Sequence, residues 1–342
     1  MPNYETIRPL LFKLDPEGVH RLTLRILALA GALPPVRAWL RRMFSLERAD
    51  LRVHAFGLDF PNPVGMAAGY DKDGRAIDGL ACLGFGHLEL GTVTPRPQVG
   101  NPPPRVFRLP EDRALINRMG FPNAGSEALL RKLRRGHPQG VVLGVNLGKG
   151  VDTPIEKAAE DYLSLLKTFY AVADFLTVNV SSPNTIGLRR LQAREYLDDL
   201  LATLSSARSE LEVSVGRRTP ILIKLAPDLN EAELEDAVGV VQGAGMDGII
   251  ATNTTIERSG LFSPQREEIG GLSGSPLRER ATEVVHRIYQ LTGGELPIVG
   301  VGGIFSPEDA REKLEAGATL IQVYTGLVYR GPGLIREILA GL

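Results

Sequence analysis

The sequence predicts an α/β protein: a (β/α)8 TIM barrel with a small N-terminal helical extension. Three observations predict it. Eight short apolar runs, rich in β-branched residues, alternate with segments of helical periodicity. Nearly every one of these runs ends in a polar or glycine-bearing turn. The length, 342 residues, suits one barrel with an extension. A doubly wound open sheet shares this alternation and stands as the second architecture.

The first fifty residues differ from the rest. They hold eight Lys/Arg and five Asp/Glu, a net of +3, which leaves −4 for the remainder of a chain of net charge −1. Tyr4, Ile7, Leu10, Leu11 and Leu14 recur at helical spacing, and after Asp15-Pro16 so do Val19, Leu22, Ile26, Leu27 and Ala30. Gly31 and Pro34-Pro35 read as the stop, giving a helical pair, followed by Trp39 and Met43 among Arg37, Arg41 and Arg42. The uncharged run 26–36 is too short to span a bilayer. Residues 1–50 are therefore either a pair packed on the main domain or an interfacial anchor, with apolar side chains and arginines facing anionic lipid.

Residues 51–60 alternate around Gly57 and read as a small hairpin. The barrel strands follow at 63–67, 87–93, 141–147, 175–180, 221–225, 248–251, 298–301 and 320–323. Helices are expected near 74–83, 155–171, 195–205, 231–243, 277–291 and 307–316, with 334–339 closing the chain. The domains are then 1–50 and 51–342.

Composition excludes several classes. The chain is 43% hydrophobic and 23% charged, as a folded globular protein is. Near-neutral charge argues against nucleic acid as a partner. Cys82 is the only cysteine, so an internal disulfide and a cysteine metal cluster are excluded. The histidines, at 20, 54, 87, 137 and 286, show no ligand spacing, and no metal is expected.

Barrel active sites lie at the C-terminal ends of the strands. Here those ends are Ala68-Gly69-Tyr70-Asp71-Lys72, Thr92-Val93-Thr94, Asn146 with Lys149, Asn179 with Ser182 and Asn184, Lys224, Thr252-Asn253-Thr254-Thr255, Gly302-Gly303 and Tyr324-Thr325-Gly326. Capping turns account for any one of these, but not for so many amides, hydroxyls and cations at one mouth. Such a pocket suits a planar, amide-bearing, anionic ligand. The glycines after the last two strands suit a phosphate. Gly300-Val301-Gly302 lacks the third glycine of a dinucleotide fingerprint, since Phe305 stands there.

Five long motifs carry a resemblance: Asn62-Pro63-Val64-Gly65-Met66-Ala67-Ala68-Gly69-Tyr70-Asp71-Lys72-Asp73-Gly74; Gly91-Thr92-Val93-Thr94-Pro95-Arg96-Pro97-Gln98; Asn117-Arg118-Met119-Gly120-Phe121; Asn179-Val180-Ser181-Ser182-Pro183-Asn184-Thr185; and Ala251-Thr252-Asn253-Thr254-Thr255. Through them the chain resembles the quinone-dependent (class 2) dihydroorotate dehydrogenases nearly end to end. The resemblance implies an FMN-binding barrel that oxidises dihydroorotate to orotate in pyrimidine synthesis and passes electrons to a membrane quinone.

Carried over residue by residue, it implies Ser182 as the catalytic base. Lys72, Asn117, Asn179, Asn184, Asn253 and Thr254 would hold the substrate, together with the stretch Arg118, Met119, Gly120 and Phe121. The FMN contacts would be Ala68, Gly69, Tyr70, Asp71, Lys72, Thr92, Asn146, Asn179, Lys224, Thr252, Gly274, Gly303, Tyr324 and Thr325. His20, Arg105 and Tyr324 would line a quinone tunnel, and the resemblance turns the reading of residues 1–50 towards a membrane-associating quinone entrance. The soluble class of the family uses a cysteine base, whereas here Cys82 lies in the first barrel helix, away from that loop. The implied protein is a monomer, peripheral to the membrane on the cytoplasmic face of the inner membrane if bacterial. Two other readings remain at this point: a phosphate-binding aldolase or isomerase barrel without flavin, and a non-catalytic peripheral membrane protein.

Overall fold

The computed structural model describes residues 4–136 and 138–342, so His137 lies outside the described residues. Strands β3 (Val64–Met66), β4 (His87–Val93), β7 (Val142–Leu147), β8 (Phe175–Asn179), β9 (Ile221–Leu225), β10 (Gly248–Ala251), β12 (Ile298–Val301) and β13 (Leu320–Val323) close into a parallel barrel in chain order. β10 completes the ring by pairing with both β9 and β12. Closure excludes the doubly wound sheet. These strands are buried on both faces, which explains their continuous apolar runs.

Helices α4 (Ile77–Ala81), α5 (Ser126–Leu133), α6 (Ala158–Phe169), α7 (Arg194–Val215), α8 (Glu231–Gly243), α9 (Arg278–Leu291), α10 (Pro307–Glu315), α11 (Thr325–Arg330) and α12 (Leu334–Gly341) surround the barrel. Their starts are chemically marked. Asn230 and Glu233 form a reciprocal capping box on α8 (3.0 and 2.9 Å). Helix α7 runs ten residues past the expected end at Ser205 and stops where Gly216 turns left-handed (φ 74°).

The hairpin expected at 51–60 forms as β1 (Val53–Ala55) and β2 (Leu58–Phe60). It plugs the N-terminal mouth: Phe60 packs with Phe175, Leu222, Ile250, Val299 and Leu320 inside the barrel. This apolar plug leaves the opposite mouth as the place for a site.

Helices α5 and α11 lie where no helix is expected, and two further features depart from the expectation. The segment after Pro34-Pro35 is a third helix, α3 (Pro34–Phe44), beyond α1 (Tyr4–Leu11) and α2 (Pro16–Ala32). The prolines that end α2 begin α3, because a first-turn proline lacks only an N–H that would be unpaired anyway. The second is a three-stranded antiparallel sheet outside the barrel. It joins β5 (Val106–Leu109), β6 (Ala114–Asn117) and β11 (Gly271–Gly274). The N-terminal helices dock on this sheet and on α4 and α11. Arg105 grips the Glu17 carboxylate through two nitrogens (3.0 and 2.8 Å). Arg108 donates to Leu14 O (2.7 Å), and Tyr4 donates to Val328 O (2.7 Å).

Candidate active site

A cavity of 380 Å³ opens at the C-terminal mouth and continues between α1 and α2. Its deepest wall carries Lys224, Gln322, Thr92 and Asn179. The Lys224 side chain is almost fully buried, and its ammonium has no hydrogen bond among the described residues. Its nearest anion is Glu89, whose Oε2 lies 3.7 Å away. Both side-chain amide atoms of Gln322 are likewise buried without a partner. Lys224 and Gln322 therefore present a cation, a donor and an acceptor to whatever fills the floor.

The side wall is a net of amides. Asn179 Nδ2 donates to Thr92 Oγ1 and Asn146 Oδ1 (3.1 Å each). Its Oδ1 accepts from Ser181 Oγ (3.1 Å) and from Asn253 Nδ2 (3.3 Å). Tyr162 fixes the strand behind it by donating to Asn179 O (2.7 Å). Rotamers in such a net are set by their neighbours, so the polar atoms are held in place before any ligand arrives.

Ser182 follows β8 and is 5% exposed. Its Oγ accepts from the Asn184 backbone N–H (3.2 Å), and Asn184 Nδ2 donates to Asn117 Oδ1 (3.1 Å). Asn117 ends β6, so the accessory sheet supplies one side of the site. Its neighbour in register, Gly271, has no room for a side chain, because a Cβ there would sit 1.9 Å from Thr254 Oγ1.

Lys72 Nζ donates to Gly69 O (2.6 Å). Enclosure in the cavity pulls its pKa down to about 8. His20 rests edge-on against Tyr70, with centroids 4.9 Å apart, and Tyr70 against Tyr324 at 5.5 Å. Burial, then the neighbouring Lys72 ammonium, holds the His20 pKa near 4, so the ring is neutral at neutral pH. Desolvation pushes the Tyr324 phenol up to about 12. This aromatic end lies under the N-terminal helices, where Leu11, Val19, Ile26 and Leu27 complete an apolar passage.

The glycines form a separate rim. Gly302 and Gly303 take positive φ (127° and 73°), and a Cβ on Gly303 would fall 2.5 Å from Arg278 Cα. Gly274 (φ 109°) stands opposite, its missing Cβ 3.0 Å from Thr325 Cγ2. All three glycines line the cavity, where bare backbone lets a phosphate approach closely.

Of the residues singled out from the sequence, Ser182, Lys72, Asn117, Asn179, Asn184, Asn253, Thr254, Lys224, Tyr324 and His20 all line this one cavity. So do Ala68, Gly69, Tyr70, Thr92, Met119, Gly120, Phe121, Thr252, Gly274, Gly303 and Thr325. Four do not. Asp71 turns away to accept from the Arg75 and Ala76 N–H groups (2.7 Å each). Asn146 lies behind the wall, donating to Glu89 Oε1 (2.6 Å). Arg118 pairs with Glu268 (2.6 Å) and stacks over Phe107. Arg105 is engaged with Glu17.

Sequence reasoning missed Glu89, Gln322 and Tyr162. Glu89 left a signal: a carboxylate inside the otherwise apolar run 88–90 has to be paired when buried.

The profile described as dihydroorotate dehydrogenase matches residues 50–342. The protein from Stutzerimonas stutzeri named dihydroorotate dehydrogenase (quinone) is 52% identical over 335 residues, covering 98% of this chain and 96% of that protein. The protein of the same name from Thiobacillus denitrificans is 52% identical, covering 98% and 97%. Among solved structures, DHODH from Eimeria tenella in complex with ferulenol superposes with a TM-score of 0.88 at 38% identity, covering 96% of this chain and 90% of that one. The ligand-free form from the same organism gives 0.87 at 39%, covering 96% and 94%.

Proposed function

This chain belongs to the dihydroorotate dehydrogenase family, and from that premise we propose how its cavity oxidises dihydroorotate to orotate with a quinone as acceptor. The observation that carries the reading is the convergence of Ser182, Lys72 and the amides Asn117, Asn179, Asn184 and Asn253 on one cavity. This is an oxidation of pyrimidine synthesis, and the family is flavin-dependent.

The residues fit FMN. The glycine rim suits its phosphate, and the Lys224 ammonium, which has only the Glu89 carboxylate at 3.7 Å beside it, and the Gln322 amide suit the polar edge of its ring. When bound, the flavin supplies the hydride acceptor and relays electrons to the quinone. Lys224 places positive charge where negative charge then gathers.

Dihydroorotate loses a proton from one ring carbon and a hydride from the next. Ser182 Oγ takes the proton. A serine hydroxyl is a weak base, so as Ser182 accepts this proton it must pass its own to a water molecule that carries it to solvent. The Asn184 N–H, 3.2 Å from Oγ, steadies the negative charge that grows on the oxygen. The Lys72 ammonium pairs with the substrate carboxylate. Asn117, Asn179, Asn184, Asn253 and Thr254 satisfy the ring amides and hold the reacting carbons against the cofactor. Residues 51–342 form the catalytic domain.

Residues 1–50 form the quinone entrance and the contact with the membrane surface. No helix of the described residues is long and apolar enough to cross a membrane. The passage past His20 and Tyr324 opens between α1 and α2, whose exposed faces carry Leu10, Leu22, Ile26 and Leu29. The protein is read as a monomer that sits peripherally, on the cytoplasmic face of the inner membrane if bacterial.

The test is a pair of half-reactions on the purified protein. Dihydroorotate should bleach a bound flavin, and a quinone should restore it where fumarate does not. A protein that carries no flavin, or one that fumarate reoxidises and quinones do not, overturns the reading.

A further inference from the structure

We propose that Arg189 is a positioning residue that fixes the Ser182 turn to the turns after β9 and β10. The inference rests on the roles of Ser182 and Thr254 given above. Arg189 lies in the short helical turn Leu188–Gln192, on the same connection as Ser182. Its three nitrogens reach three different segments. Nε donates to Ser181 O (3.1 Å), on the peptide immediately before Ser182. Nη1 pairs with the Asp228 carboxylate (2.7 Å), which follows β9. Nη2 donates to Thr254 O (2.8 Å), after β10. Asp228 closes the knot from its other side by accepting from Thr255 Oγ1 and from the Ile256 N–H (3.4 Å).

Neither Arg189 nor Asp228 lines the cavity, whereas Ser182 and Thr254 both do. The pair is partly open to solvent, with side-chain exposures of 23% and 20%, so as an ion pair it contributes little stability. Its value is geometric. A planar guanidinium with fixed donor directions can hold three acceptors in a set relation, and a lysine cannot reproduce that fork. Ser182 must sit within hydrogen-bond reach of a ring carbon whose amides are held partly from the Thr254 side. A displacement of about 1 Å at such a group costs on the order of 10²-fold in rate.

The experiment is stopped-flow reduction of the bound flavin by saturating dihydroorotate, beside orotate titration, flavin content and melting temperature. Arg189→Gln should lower the limiting reduction rate by about 10- to 10²-fold, with a smaller loss of orotate affinity and with flavin content and melting temperature near those of the parent. Arg189→Lys, which keeps the charge and loses the fork, should be as slow as Arg189→Gln. Asp228→Asn should be slowed as well, and the double variant should be no slower than Arg189→Gln alone, because the two act as one unit. A limiting rate within twofold of the parent in Arg189→Gln, full activity in Arg189→Lys, or rate losses that track loss of flavin would each overturn the proposal. Ser182→Ala is run in parallel. If it reduces at the parent rate, the reading of Ser182 has failed. If it is slow while Arg189→Gln is not, only this inference has failed.

Discussion

Ser182 and Lys72 approach the same cavity from different strand ends, and each makes its own prediction. In its proposed role Ser182 removes a proton, while binding is left to its neighbours. Ser182→Ala should keep flavin and orotate binding and slow flavin reduction by ~10²-fold or more. An unchanged reduction rate in stopped flow removes the serine from the chemistry. For Lys72 the prediction concerns pH. Burial depresses its pKa to about 8, and the protonated form is the one that holds a carboxylate. Orotate affinity should therefore be flat below pH 8 and fall by about tenfold per unit above it. Lys72→Met should bind weakly at every pH and show no such break. An affinity that stays flat to pH 10 in the parent protein would place Lys72 away from the carboxylate. Most of this chemistry was legible because polar residues at the ends of buried strands stand out against the apolar runs before them. Glu89 and Gln322 were harder to see, since both lie within strands and only closure of the barrel shows which of their neighbours face inward.

At the scale of elements, the barrel strands were legible for a physical reason. Each is buried on both faces, so its sequence is almost continuously apolar and its ends are abrupt. The accessory sheet has neither mark. Strand β5 is mostly half-buried and carries Arg108, and β11 pairs with β6 across more than 150 residues of chain. The seat of the N-terminal helices was equally hidden, since it depends on two glycines that look unremarkable in sequence. A Cβ on Gly79 in α4 would lie 2.1 Å from Leu27 O, and one on Gly31 in α2 would lie 2.5 Å from Gly79 N. The helices meet at backbone distance, and any side chain there forces them apart. Gly79→Val should cost about 1–3 kcal/mol by overpacking. It should also lift α2 and open the apolar passage. Flavin reduction by dihydroorotate, whose groups lie after β2, should stay within a few-fold of the parent, while reoxidation by a long-tailed quinone should fall by at least about tenfold. Equal losses in both half-reactions would show that α2 supports the barrel and not the passage alone.

Across the whole molecule, one face is unlike the rest. Every residue of α1 is at least partly exposed, and Leu10 (65%), Leu29 (69%) and Leu33 (53%) stand in water on the N-terminal helices. Exposed Arg21, Arg25, Arg41 and Arg42 lie among them, in the part of the chain that carries net +3 while the remainder carries −4. Apolar side chains on a cationic ground suit the surface of an anionic bilayer, where leucines leave water and each arginine near head groups contributes about 1 kcal/mol. Deleting these helices would be a poor test, because Leu24 is buried in the main core and Glu17 is tied to Arg105. Substituting only the exposed leucines leaves the packing intact. Complete burial of a leucine is worth about 1.5–3 kcal/mol, so three of them account for several kcal/mol of membrane affinity. The combined Leu10→Ser, Leu29→Ser and Leu33→Ser variant should melt like the parent and reduce its flavin at the parent rate. It should bind vesicles of mixed neutral and anionic lipid ~10²-fold more weakly or worse, and turn over slowly with a quinone embedded in them. A short water-soluble quinone, which needs no bilayer, should still reoxidise it normally. If vesicle binding and turnover with the embedded quinone survive all three substitutions, this face does not meet the membrane, and the quinone reaches His20 and Tyr324 by another route.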